Sequence, residues 1–389
     1  MTIIVKLGIV AANILYYFIK LIPTQYNKIT FISRQSNTKS LDMQLLEQEL
    51  IKSNKDLKII FLCKTLSKGL NNKIKYAFYM IKMMYHIATS KVVILDTYCI
   101  PISILKHKKE LVVIQMWHAL GSLKKFGYAA LDNNSKINIK KINSSERRSA
   151  KLAKLMKMHK NYNYILTSSN ASLKNFQEAF NAKPENMIVM NLPRVDFLKD
   201  KRNEKVLKEK FYLEYPQLNN NKKIILYSPT MRNEKFIPVK NVKNAVDYDK
   251  YILVVKYHSG KNDIFYDKNN KYSNVVFSGI DFLHIADYII SDYSAIIYEA
   301  AITMKPIYLY NFDFDNYYSK RGFFIDYYEE LPAIINKNIN KIMDCIEHNI
   351  IYDVNREKQF VEKYMENYKC NNTKKFSNFI LSNLEEENK

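Results

Sequence analysis

Residues 111–122 read LVVIQMWHALGS, an apolar run that stops at the chain's single tryptophan, a histidine and, shortly after, a glycine. The run Leu111–Gln115 has the length and β-branched content of a buried strand, and His118 falls just past its carboxyl end. The same order recurs elsewhere. YILTSS (164–169), KIILYS (223–228) before PTMR (229–232), YILVVKYH (251–258) and YIIS (288–291) before DYS (292–294) all place polar groups directly after an apolar run. Near-continuous apolar strands belong to parallel sheets covered on both faces. In such sheets ligands sit beyond the carboxyl ends of the strands.

Working outward, further strands are expected at Lys28–Ser33, Leu57–Leu62, Lys91–Asp96, Asn274–Ser278 and Pro306–Tyr310. Helical spacing falls between them at Leu41–Ser53, Tyr76–Thr89, Phe282–Ala286 and Ser294–Thr303. Alternation of this kind predicts an α/β fold with crossover connections. The charged stretch Lys199–Lys223, with Pro216 and the run NNNKK (219–223), reads as the region between two lobes. Two doubly wound lobes flanking a cleft follow, and 389 residues suffice for two or three domains. No repeat of solenoid type is present.

Hydrophobic residues at 47% and charged residues at 25% describe a globular chain. The formal net charge of +22 favours a polyanion, an anionic membrane or a phosphorylated substrate. The basic residues are spread along the chain without a dedicated stripe, which argues against nucleic acid as the partner. Cys63, Cys99, Cys345 and Cys370 are too sparse for a disulfide scaffold and read as thiols in a reducing compartment. LGIVAANILYYFI (7–19), between Lys6 and Lys20, is shorter than the ~20 residues that span a bilayer. No small-residue cleavage site follows it, so a signal peptide is not indicated. It is expected as a helix lying in the membrane interface, with a packed first helix as the alternative.

Several residues suit chemistry at the strand ends. His118 precedes Ala119, Leu120, Gly121 and Ser122, where a glycine permits close backbone approach. On position it is as ready to be a structural histidine as a base. Strand alternation puts Lys256 and His258 on one side and Tyr257 on the other, a cation and an imidazole suited to a diphosphate or to a solvated edge. Ser294 is a good N-cap for the helix carrying Ala295 and Glu299, and free amides at a helix start attract anions. Arg232, beside Met231, and Arg194 are each a phosphate clamp or an ion pair between lobes. Asp313-Phe-Asp315 is too short to define a metal site, and Cys345 with His348 lacks a second ligand pair. No Walker loop, GxGxxG or GxSxG motif occurs.

In order along the chain, IQMWHALGSLKKFG, NLPRVD, YSPTMR, VVKYHS, IISDYSAIIYEAA and RGFFIDY resemble the CDP-glycerol glycerophosphotransferase family of teichoic acid synthesis. The resemblance runs from about Lys28 to Pro332. It implies two Rossmann-like lobes in the GT-B arrangement: an N-terminal acceptor-binding domain over 26–200 and a C-terminal CDP-donor-binding domain over 201–389, preceded by the interfacial helix 1–25. The implied reaction is transfer of glycerol phosphate from CDP-glycerol to a hydroxyl of a polyprenyl-diphosphate-linked disaccharide, with release of CMP. Priming with one unit is the leading expectation, and a CDP-ribitol or CDP-glycerol polymerase the alternative.

By the resemblance, His118 is the base and His258 the second catalytic histidine. Ala119, Leu120, Gly121, Ser122, Arg194, Met231, Arg232, Lys256, Tyr257, Ser294, Ala295 and Glu299 are implied to contact the donor. No cofactor is required, magnesium being the one ion left open. The implied location is peripheral, on the cytoplasmic face of the cell membrane. The chain departs from the family where Trp-His is followed by Ala119-Leu120-Gly121 in place of Gly-Thr-Pro, and where Ser259 and Ala295 replace a proline and a serine.

Overall fold

The computed structural model describes residues 2–66, 69–131, 144–230, 237–257, 262–273, 275–350 and 352–385. The chain divides into two compact units. One comprises Met1–His118, Phe126–Arg194 and Asn371–Lys389; the other comprises Ala119–Lys125 and Val195–Cys370.

The first unit is built on six parallel strands in the order β2-β1-β3-β4-β5-β6. They are β1 Gln25–Ser33, β2 Lys58–Cys63, β3 Ser90–Leu95, β4 Val112–Gln115, β5 Tyr164–Thr167 and β6 Met187–Val189. β3 is buried at every position, as expected of a central strand with helices on both faces. Val93 and Leu95 pack with Met83, Met84 and Ile87 of helix α3, Leu70–Thr89. Helix α2, Leu41–Ser53, starts where the Ser40 hydroxyl accepts from the Met43 amide, and it buries Met43, Leu46 and Leu50 along one stripe. Against α2 packs the helix Asn372–Glu385, with Phe376 and Ile380 fully buried. The last helix of the chain thus completes the first unit, where the sequence suggested it would belong to the second.

Helix α1 spans Thr2–Ile19. Tyr16 is buried, and Ile9, Ala12 and Ile19 pack beside it on the same core. Its other face leaves Ile3, Ile4, Leu7, Val10, Ile14 and Phe18 exposed. One side of the helix is therefore packed, as the alternative reading expected, and the other is an exposed apolar surface.

The second unit carries seven strands in the order β10-β9-β8-β7-β11-β12-β13. They are β7 Lys223–Ser228, β8 Tyr251–Lys256, β9 Asn262–Phe265, β10 Lys271–Ser273, β11 Tyr288–Ser291, β12 Ile307–Tyr310 and β13 Ile334–Asn336. From β8 to β13 through β7 the pairing is parallel, whereas β9 and β10 extend the edge antiparallel. The strand expected at Asn274–Ser278 does not form over the described residues 275–278. Residues 275–278 instead form a bend that leads into the helix Gly279–Ile285, closed by a reciprocal capping box between Ser278 and Asp281. The stretch expected to lie between lobes is largely the helix Arg202–Glu214, in which only Phe211 is fully buried while Val206 and Leu213 are exposed. Among the described residues no helix is long and apolar enough to cross a membrane.

Candidate active site

In the first unit β3 and β4 run side by side, with Leu95 opposite Gln115 and the Met116 amide bonded to the Leu95 carbonyl at 2.8 Å. Asp96 and His118 therefore emerge together at the carboxyl end of the sheet. Between strand and histidine the chain turns sharply, because Trp117 adopts φ 60°. A bulky residue in the left-handed region is uncommon and strained. Two things hold it there. Its amide donates to the Gln115 side chain at 3.0 Å, and its indole stacks on Phe126 and meets Phe180 edge-on. The lone tryptophan is thus a packing anchor that aims its neighbour.

The His118 Nδ1 lies 2.9 Å from the Asp96 carbonyl oxygen. A carbonyl only accepts, so Nδ1 carries the hydrogen and the neutral ring keeps its lone pair on Nε2. That is the tautomer a general base needs. Asp96 itself is buried, and its carboxyl is pushed up to about 6, chiefly by burial, with hydrogen bonds from Ser33 and Thr97 pulling the other way. Its Oδ1 has no hydrogen-bond partner.

Arg194 also reaches this end of the sheet, donating from Nη1 to the His118 carbonyl at 3.4 Å. The fully buried Asp42 also engages it: Nε and Nη2 both bond Oδ2, and the Arg194 amide donates to Oδ1 at 2.8 Å. In the first unit this arginine ties α2 to the backbone of the histidine. Asp42 and Asp96 are two residues sequence reasoning passed over. Asp96 was legible as a carboxylate closing an apolar strand, whereas the partner of Asp42 is 152 residues away and nothing local marks it.

The segment Ala119–Lys125 clusters with the second unit. Leu120 and Ser122 are buried there, and Gly121 lies flush on the ring of Tyr298, where an added Cβ would come within 2.1 Å of the ring. The glycine approach expected here is made to a tyrosine side chain. Phe324 donates its amide to the Leu123 carbonyl, and the Lys125 amide donates to that of Gly322.

In the second unit the carboxyl ends of β7, β8 and β11 lie next to one another. Asp292, fully buried, joins two of the loops that follow. Its Oδ1 accepts from the Thr230 amide at 2.8 Å, and its carbonyl accepts from the Tyr327 hydroxyl at 2.9 Å. Lys256 ends β8, half-buried, with its stem over Gly279, where a Cβ would sit 2.1 Å from Cε. Tyr257 turns to the opposite face and packs on the core of Leu253 and Val255, as the alternation expected. Burial and Asp263 raise its hydroxyl to about 12.

Ala295 is already helical, at φ −64° and ψ −12°, so Ser294 stands at the cap position, its Oγ accepting from the Ile296 amide at 3.4 Å and its carbonyl from the Ile297 amide at 3.3 Å. The helix Ile296–Ile302 is seven residues long and buried throughout, Glu299 included, so its dipole is smaller than the sequence suggested. His258, Met231 and Arg232 lie outside the described residues. Asp313 accepts from the Tyr293 hydroxyl at 2.9 Å, and Asp315 pairs with Lys337 at the surface.

Two units built on largely parallel sheets, with polar groups at the carboxyl ends of the strands, have the fold class of GT-B proteins. Residues 14–382 match the family described as CDP-Glycerol:Poly(glycerophosphate) glycerophosphotransferase, and the chain belongs to it. It is 27% identical over 380 residues to the teichoic acid ribitol-phosphate primase of Bacillus spizizenii, covering 94% of this chain and 93% of that one. With the teichoic acid glycerol-phosphate primase of Bacillus subtilis it shares 28% identity over 314 residues, 79% of this chain and 77% of the relative. Among solved structures, the wall teichoic acid polymerase TagF superposes with a TM-score of 0.69 at 17% identity, covering 99% of this chain and 96% of that one. The fold class read from the sequence, α/β with two Rossmann-like units of GT-B type, stands on these likenesses. The chain is a transferase of teichoic acid biosynthesis.

Proposed function

We propose that this protein transfers glycerol phosphate from CDP-glycerol to a lipid-linked saccharide acceptor, as a primer adding one unit. His118 Nε2 takes the proton of the acceptor hydroxyl. That oxygen then forms a bond to the phosphorus bearing glycerol, the diphosphate P–O bond breaks, and CMP departs with the bonding electrons. The observation that carries the reading is the Nδ1 hydrogen bond to the Asp96 carbonyl, which fixes the base tautomer in a chain matched to the family over nearly its whole length. Lys256, with its stem seated over Gly279, is assigned to the diphosphate, where a cation offsets developing charge.

The His118→Ala variant tests this. CMP release is expected to fall by ~10²–10⁴-fold, the range for losing a general base, while CDP-glycerol still binds. Turnover close to that of the unaltered protein would remove His118 as the base.

A CDP-ribitol donor is the second reading, favoured by the similarity to a ribitol-phosphate primase. Incubation with each CDP-alditol and a synthetic lipid-linked disaccharide separates the two by product mass. One added unit marks priming, and a ladder marks polymerisation.

The exposed apolar face of α1 gives the protein a means of resting on a membrane without crossing it. Ile74, Phe78 and Ile81 of the neighbouring α3 are exposed as well, and Lys6 lies within α1 with Lys20 directly after it. We assign this face to the anionic cytoplasmic leaflet, where such lysines are attracted and Tyr and Phe side chains settle at the interface.

A further inference from the structure

The first unit holds a cavity of about 390 Å³ at the opposite end of its sheet from His118. Its wall includes Leu111 and Val113 at the start of β4, Asn163 just before β5 and Asn186 just before β6, so it opens at the amino ends of the strands. The transfer reaction read above uses the carboxyl ends.

The lining is chemically one-sided. Five lysines contribute, Lys106, Lys108, Lys109, Lys157 and Lys160, and among the described residues no acidic side chain does. Lys108 is engaged, donating to the Ile22 carbonyl at 2.6 Å and the Thr24 hydroxyl at 3.0 Å. The other four make no ion pair among the described residues. Like charges gathered around one hollow repel one another, and an anion in the hollow relieves that repulsion. Asn163 and Asn186 add side-chain amides able to donate to oxygen, Asn186 having given one of its two hydrogens to the Asn163 carbonyl.

The loop that carries Lys157 and Lys160 is fastened to its surroundings. Lys157, His159 and Asn161 all adopt positive φ, at 48°, 62° and 68°, three left-handed residues in five. The Asn161 amide group donates to the carbonyls of Ile102 at 2.8 Å and Leu105 at 3.0 Å, which fastens this strained loop to the facing wall. Strain of this kind persists only where the surroundings enforce it, and it gathers at ligand sites. Beneath the loop His159 is buried against Phe180 and Tyr162, with its imidazole pushed down to about 3 by burial, so it is a neutral support.

We infer that this cavity binds a phosphate ester, separately from the transfer site. Its volume suits a small ligand carrying one or two phosphate groups. Two sources supply that chemistry. One is a soluble phosphate compound. The other is a phospholipid head group, since Lys108 fastens the cavity rim to the segment Ile22–Thr24 that leaves α1. Nothing in the inference depends on the donor assigned above.

Two arms of one experiment decide it on the full-length protein, and neither reads the transfer reaction. Calorimetric titration with inorganic pyrophosphate measures the soluble source. Sedimentation with phosphatidylglycerol–phosphatidylcholine vesicles, against phosphatidylcholine alone, measures the lipid source. The double variant Lys157→Gln/Lys160→Gln changes two exposed side chains of the wall. Lys52→Gln/Lys55→Gln removes the same charge from exposed positions elsewhere on the unit. A loss of roughly tenfold or more in either arm for the wall variant alone, the scale of charge-assisted phosphate contacts, supports the site and names its source. Equal behaviour of the two double variants in both arms overturns it.

Discussion

His118 in the first unit follows a tryptophan held at φ 60° and is pinned by a hydrogen bond to a neighbouring strand. Lys256 in the second unit lies over a glycine whose missing Cβ makes the space for its stem. The first arrangement stores strain and balances it with aromatic packing and polar contacts. The second needs no strain, only the absence of one carbon atom. Side chains in the first unit should therefore fail through lost partners, and those in the second through added bulk.

The largest effect is expected at Asp42. Asp42→Ala leaves the guanidinium of Arg194, only 13% exposed, without its carboxylate, which should cost ~3–5 kcal/mol of stability by denaturant titration. A loss below ~1 kcal/mol would show that the first unit does not depend on this pair. Next comes Gly121→Ala, which drives a methyl into the fully buried ring of Tyr298 and should cost ~1–3 kcal/mol. Gly279→Ala displaces a flexible lysine stem rather than a ring. It should leave the melting temperature nearly unchanged while raising the KM for the donor about tenfold, ~1.4 kcal/mol of binding. If Gly279→Ala proves the more destabilising of the two, the account of the second unit fails.

The smallest effect separates the units by pH. Burial pushes the imidazoles of His86 and His107 down to about 4 and that of His159 to about 3, all in the first unit. Against an unfolded value near 6.5, the unfolded chain binds more protons below that pH, so the first unit loses stability as pH falls from about 6.5 to 4. Asp96, raised to about 6, offsets part of this because it binds its proton more readily when folded. The second unit carries Glu357, raised to about 8 by burial, which loses stability as pH rises between about 4.5 and 8. His284, lowered by burial, adds an acid-side loss to the second unit. Lys28 and Lys305 are both lowered to about 8, one in each unit, and do not distinguish them. Trp117 fluorescence reports the first unit alone, since the chain has no other tryptophan. On acidification its transition should come first, and Glu357→Gln should flatten only the alkaline slope of the second unit's hydrogen exchange.

The parallel strands were legible in the sequence because they are fully buried: β3, β4, β5, β7, β8, β11 and β12 lie within a residue or two of where apolar runs placed them. What escaped was short or paired at a distance. β6 and β13 have three residues each, too few for a pattern. The β9–β10 hairpin was not expected, and the run VVF, read as a strand, is a bend. Of the site, His118 and Lys256 were readable because strand ends are readable. Asp292 stands in the run DYS, where a buried carboxylate that organises two loops looks the same in sequence as one that does nothing. It joins Asp42 and Asp96 among the residues that sequence reasoning passed over. Arg194 read as a clamp for phosphate, and only the fold reveals Asp42 beside it.

The chain leaves the first unit for the second after Arg194 and returns only at Asn371, to lay its final helix against α2. During synthesis the ribosome must therefore deliver the whole second unit before the residues that close the first become available. Until then the face of nascent α2 that this helix covers stays open to water, and the first unit waits on the residues from Asn371 onward to finish folding.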